Sequence, residues 1–240
     1  MYYMNPPAKD LSKIASSDKV KKVQKDFEAT HVRPQRLMKT LFTDEAYVKA
    51  NVDEARLMRR LFDLACNMQS HDTDMQLYSL FTDEECYDLW SCNNLYWYLT
   101  HACSPVTDGL MPYREADLLR NILDRADAAL KEGKNQATLR FGHESCLLPL
   151  VALLELNHYG ESYPDVEKLS EQWRAYDIFP MASNVQFVFF HKKGSNDVLV
   201  KVLLNEKEAK LPVKTDVAPY YHWKDVESYY REKLDKYQHI

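Results

Sequence analysis

Glycine is scarce in this sequence, with five in 240 residues, at positions 109, 133, 142, 160 and 194. There is no phosphate-cradling Gly-x-x-x-x-Gly-Lys loop and no Gly-x-Ser-x-Gly elbow, so nucleotide-loop and serine-hydrolase chemistry lack their signature turns. Cysteine is equally sparse: Cys66, Cys86, Cys92, Cys103 and Cys146 are odd in number, scattered and never spaced C-x-x-C. That indicates neither a zinc site nor a disulfide framework, and the five read as buried free thiols in helices, with one or two bridged pairs left open as the alternative. No run nears the roughly 18 apolar residues of a membrane helix, and the opening Met1–Asp10 lacks the charged and apolar regions of an export signal. An excess of basic charge is missing too. With a net charge of −5 and a pI near 5.9, the chain has no field to gather nucleic acid. Its 16 tyrosines, with few interleaved basic residues, read as core and contact surface and not as a base-stacking platform.

What is present is a core-forming composition, 45% hydrophobic and 28% charged, which sets aside disordered and fibrous classes. From about Asp10 to Lys131 apolar residues recur at three and four, and Gly109 is the sole glycine, a helical pattern. Asp53 is the expected N-cap of a helix to Met68 whose inner face carries Leu57, Leu61, Leu64, Ala65 and Met68. Thr82-Asp-Glu-Glu85 has capping-box form and opens a second long helix. A third runs from about Tyr113 to Leu130 and stops near Gly133, and shorter helices between Asp18 and Asn51 break at Pro34 and near Thr43.

After Gly133 the pattern changes. Ala137–Phe141 is a β-type run, followed by a polar turn and an apolar helix, Leu147 to Leu156. Val185–His191 and Val198–Leu204 flank the turn Lys193-Gly-Ser-Asn-Asp197 and predict a hairpin, and Trp223–Gln238 reads as an amphipathic helix. The expected fold class is therefore α/β: a helical domain over 1–134 and an incomplete α/β domain over 135–240. Three strands are too few to cover the apolar helix, which predicts exposed apolar surface, self-association, or a missing N-terminal half. The abrupt start on aromatics and two prolines also suits a fragment.

The turn Arg140-Phe-Gly-His-Glu-Ser145 carries the chemistry. A polar loop between a strand's carboxyl end and a helix start is where open α/β sheets bind ligands, because helix N–H groups converge there. Gly142 permits a sharp turn that presents His143 and Glu144. An imidazolium can hold phosphoryl oxygens while a carboxylic acid protonates the leaving alcohol. A solvated turn histidine beside a dipole-stabilised glutamate accounts for the same residues. His31, His71, His101, His158, His191, His222 and His239 show no ligand spacing, and Glu84-Glu85 and Asp72-Thr-Asp74 read as cap and loop carboxylates, so neither a metal nor a cofactor is expected.

From about Phe27 to Gln238 the sequence resembles the histidine acid phosphatases of clade 2, the multiple inositol polyphosphate phosphatase or phytase-like branch, in its Bacteroides type. The resemblance rests on Arg36-Leu-Met-Lys-Thr-Leu-Phe42, Phe62–Cys66, Leu80–Glu85 with Tyr87–Trp90, and Asn121–Asp124. Most specific are Thr138–Val151 and Met181–Phe187. The resemblance implies a phosphoglycerate-mutase-like α/β domain interrupted by a helical cap, acting on phosphate monoesters such as inositol polyphosphates in the periplasm or outside the cell. It assigns His143 as phosphate ligand and Glu144 as proton donor, with Arg140 and Ser145 beside the substrate. The family nucleophile is a histidine in an N-terminal Arg-His-Gly-x-Arg motif, and no Arg-His pair occurs in this sequence. Glutamate directly after the histidine departs from relatives that have aspartate there, or alanine then glutamate, and lengthens the donor by one methylene. The expectation is a C-terminal part, inactive alone. Its alternatives are a non-catalytic, phosphate-binding remnant of the same fold, or an all-helical interaction protein with an accessory sheet.

Overall fold

The computed structural model describes residues 9–134 and 136–237. The residues before Lys9, Asn135 and the expected helix end at Gln238 lie outside that description. Contacts divide the chain into two compact units, Lys21–Tyr96 and the remainder, Met1–Val20 with Trp97–Ile240. The change of sequence pattern after Gly133 falls inside the second unit.

The helices before that change are α1 (Lys9–Ala15), α2 (Asp18–His31), α3 (Gln35–Leu41), α4 (Glu45–Asn51), α5 (Glu54–Asn67), α6 (Asp83–His101) and α7 (Ala116–Glu132). Local chemistry sets their ends. Asp44 and Asp53 accept the Tyr47 and Arg56 amides at 2.9 and 3.1 Å and cap α4 and α5. At the start of α6, Thr82 and Glu85 form the reciprocal capping box, at 3.0 and 3.2 Å. Gly133, at φ +66°, ends α7 in the left-handed conformation.

The Lys21–Tyr96 unit closes on Val32, Leu37, Met38, Val48, Met58, Ala65, Phe81 and Leu89. Arg36 holds Glu85 through two bonds, at 2.7 and 2.5 Å, and Arg33 reaches Glu84 and Asp88. The inner face of α5 differs from expectation. Met58 and Ala65 are buried, with Leu57, Leu61 and Phe62 packed against them, whereas Leu64 is 52% exposed. Two adjacent stripes of this helix are apolar, and the one without Leu64 meets the cluster, with Phe62 edge-on to Phe81 at 5.8 Å.

In the second unit, α8 (Glu144–Leu153) is followed by α9 (Leu169–Gln172) and α10 (Ala175–Ile178). Four strands come next, β1 (Val185–His191), β2 (Val198–Leu204), β3 (Lys207–Ala209) and β4 (Tyr221–His222), and then α11 (Trp223–Tyr237). β1 and β2 form the expected antiparallel hairpin, in register from Val185 opposite Leu204 to His191 opposite Val198, with Gly194 at φ +82° in the turn. β3 and β4 both pair with the other edge of β2.

Two expectations are corrected here. Residues 137–141 form no strand; they run extended with Leu139 75% and Phe141 90% exposed. Both edges of β2 are occupied by β1, β3 and β4, and among the described residues this segment pairs with no strand, β1 included. Nor does α8 expose its apolar surface: Leu148 through Leu153 are all buried. The 3-10 turn Met111–Glu115 and α10 pack on it. α11 satisfies its C-terminal end, where Lys233 Nζ donates to the Leu153 carbonyl and the Tyr230 hydroxyl to the Leu154 carbonyl, both at 2.7 Å. α11 is held to α7 in turn, with Trp223 Nε1 and Arg231 both on Asp127 at 2.8 Å.

Candidate active site

The four residues singled out from the sequence lie on the extended approach to α8 and its first turn. His143 is the N-cap residue, in the β region at φ −115° and ψ 164°. Its carbonyl accepts the amides of Cys146 and Leu147 at 2.9 and 3.1 Å, while its ring makes no capping bond. Starting the helix therefore consumes the backbone of His143 and leaves its imidazole available. Glu144 is the first residue of α8, where the helix dipole favours its carboxylate. Both side chains are exposed, and among the described residues neither makes a hydrogen bond or ion pair. Ser145 follows, half-buried. Arg140 stands on the extended approach and donates from Nη2 to Asn121 Oδ1 of α7 at 2.8 Å. His143, Glu144 and Ser145 are thus gathered on one helical turn, and Arg140 is tied to a neighbouring helix beside it.

Such a turn suits an anionic ester. Free helix N–H groups and an imidazolium attract phosphoryl oxygens, and a solvent-accessible carboxylic acid can deliver a proton to a leaving oxygen. Among the described residues no group of three or more His, Cys, Asp or Glu is placed to hold a metal ion.

Behind the turn lies a polar group that the sequence did not single out. Glu115, last residue of the turn that packs on α8, is 4% exposed, and its Oε2 has no hydrogen-bond partner. Burial pushes its carboxyl up to about 7, against the opposing pull of the Arg114 charge and of a hydrogen bond with the Cys146 thiol. Burial likewise raises Cys146, and the neighbouring Glu115 adds to the effect. His101, classed from the sequence with the scattered histidines, is buried and shares a 2.7 Å bond with the Thr100 hydroxyl. Burial, with the Arg114 charge, lowers its pKa to about 4. No spacing pointed to Glu115, because its contact with Cys146 joins residues far apart in sequence. Its only local signal is a charged residue at the end of an apolar Met-Pro-Tyr turn.

Among known proteins, human multiple inositol polyphosphate phosphatase 1 is 28% identical over 134 residues, which cover 50% of this chain and 27% of the human protein. The multiple inositol polyphosphate phosphatase of Bifidobacterium longum shares the fold at 19% identity. Its complex with phosphate superposes with a TM-score of 0.64, covering 93% of this chain and 55% of that one. The complex with inositol hexasulfate gives 0.59, over 91% and 53%. The chain thus spans about half the length of the solved relatives it matches. The histidine phosphatase superfamily (branch 2) profile matches residues 1–205, most of the chain, and the protein belongs to that family.

Proposed function

We propose that this chain is the C-terminal part of a phosphomonoesterase that hydrolyses inositol polyphosphates through a phosphohistidine, with the nucleophile supplied by sequence outside these 240 residues. On this reading His143 holds the phosphoryl oxygens and Glu144 protonates the leaving alkoxide. Arg140 and Ser145 border the substrate, the helices of 1–134 contribute the cap, and 135–240 belong to the phosphatase domain. The observation that carries it is the unengaged His143–Glu144 pair on the exposed first turn of α8, in a chain of this family. The exposed Leu139 and Phe141 support completion by a further segment, since an extended run with such side chains is a surface for strand addition.

The test uses an enzyme completed with an Arg-His-Gly-bearing N-terminal half. Glu144→Gln keeps size but cannot release a proton. kcat/KM for an inositol polyphosphate should fall roughly 10²–10⁴-fold, and that for an aryl phosphate with a good leaving group much less. His143→Ala should slow both substrates comparably. Equal losses on the two substrates for Glu144→Gln would remove it as the general acid. Phosphatase turnover by the pure 240-residue chain, abolished in His143→Ala, would overturn an external nucleophile.

A second reading is a non-catalytic phosphate-binding module of the same fold that keeps the exposed His143 turn without turnover. It predicts that the completed protein binds inorganic phosphate in a His143-dependent way without turning over either ester.

A further inference from the structure

We propose that His222 is a proton-operated clip that ties the tip of the β1–β2 hairpin to the loop preceding β4 and releases one of them when the ring loses a proton. The imidazole lies between two carboxylates from different segments. Nδ1 is 3.0 Å from both oxygens of Asp197, at the end of the hairpin turn. Nε2 is 3.0 Å from Oδ1 of Asp216, in the loop before β4. An ionised carboxylate only accepts hydrogen bonds, and a neutral imidazole has one N–H. With a neutral ring, one of the two contacts would set a lone pair against a carboxylate. The arrangement as it stands therefore calls for the imidazolium, which donates from both nitrogens.

Each segment is otherwise organised from within. In the hairpin turn the Asp197 amide donates to Ser195 Oγ at 3.0 Å, and His191 Nε2 donates to the Ser195 carbonyl at 2.8 Å. In the loop, Thr215 Oγ1 donates to the Tyr220 carbonyl at 2.7 Å and accepts the Val217 amide at 3.2 Å. β4 itself is two residues long, pairing Leu199 with His222 and Val200 with Tyr221. The His222 bonds are therefore a cross-link between two internally ordered segments and one short strand.

The surrounding charges support this. Hydrogen bonds that the ring donates to Asp197 and then Asp216 raise the His222 pKa above the ordinary histidine value, and the same ring lowers that of Asp216. Opposite on β2 stands apolar Leu199, and Lys201 lies over the Tyr220 ring at 5.7 Å. Lys192 and Lys193 in the turn, Lys214 in the loop, and Lys224 and Asp225 at the start of α11 are exposed to solvent. His191 is a second titratable group on the turn. Because His222 binds its proton more tightly in the folded chain, the clip's contribution is complete below the unfolded value of about 6.5 and is lost as pH rises through the folded value.

Nitrogen-15 NMR of the assigned His222 ring in the full chain tests this, with hydrogen exchange of residues 192–197 and 212–221 across the same pH range and the His191 ring followed separately. Both His222 nitrogens should carry protons at pH 6, with a midpoint above about 6.5 that drops toward it in Asp197→Asn and again in Asp216→Asn. Amide exchange in at least one of the two segments, corrected for intrinsic base catalysis, should accelerate several-fold through that midpoint. The clip is overturned by a wild-type midpoint at or below 6.5, by an Asp216→Asn midpoint equal to wild type, or by exchange that ignores the transition.

Discussion

The two ends of α8 are built on opposite plans. At the C-terminal end every feature closes the helix: Lys233 and Tyr230 of α11 take the Leu153 and Leu154 carbonyls, and the Tyr229 hydroxyl donates to Glu155 at 2.5 Å. At the N-terminal end His143 caps with backbone alone, Glu144 stands in solvent, and a buried carboxyl, Glu115, sits behind with an unpartnered oxygen. Side chains that satisfy a helix end add stability, whereas side chains kept free at the other end are available to a ligand. The difference separates the part of α8 that holds the unit together from the part left open to solvent.

Mutations can break or sharpen that contrast. The largest expected effect lies in the body of the helix, where Leu148→Ala at a fully buried position should cost about 2–5 kcal/mol in denaturant unfolding. A loss well under 1 kcal/mol would show that α8 is not the core element described here.

Glu115 comes next, through pH. Its folded value near 7 lies above that of an unfolded glutamate, so the folded chain binds the extra proton and stability declines as pH rises from about 4.5 to 7. The decline should amount to about 3 kcal/mol, and Glu115→Gln should abolish most of it, making the variant the more stable protein at pH 8. Chemical denaturation of both proteins at pH 4.5 and pH 8 checks this; parallel pH profiles would refute it.

Tyr230→Phe removes only the hydroxyl on the Leu154 carbonyl and should cost about 1 kcal/mol. His143→Ala should have the smallest effect, within about 0.5 kcal/mol, because the ring is exposed and caps nothing. If thermal melts ranked His143→Ala with Tyr230→Phe, the N-terminal end would be structural and the contrast would fail.

Much of this architecture was legible in the residues themselves. Asp53, the Thr82–Glu85 box, Gly133 and the Lys193–Asp197 turn each act within a few positions of chain, so their chemistry could be read where it stood. The same holds for the candidate site: His143, Glu144 and Ser145 are neighbours on one turn, and a polar turn ahead of an apolar helix announces it.

Other features were settled by partners remote in sequence. Ala137–Phe141 has strand form, yet a strand exists only where it pairs with a neighbour, and among the described residues this run pairs with none. Leu64 repeats as well as Leu61, and the residues packed on α5 from remote segments, Leu37, Phe81 and Leu89 among them, decide which stripe is buried. Glu115 gains its raised carboxyl from α8 packing over it, and His222 gains its charge from two aspartates on separate loops. By itself, then, the sequence determined the helix ends, the hairpin and the place of the polar turn before α8, because caps and turns are short-range hydrogen-bond chemistry. The tertiary structure decided which apolar faces are buried and which titratable groups are perturbed, because burial and pairing depend on what other segments bring alongside.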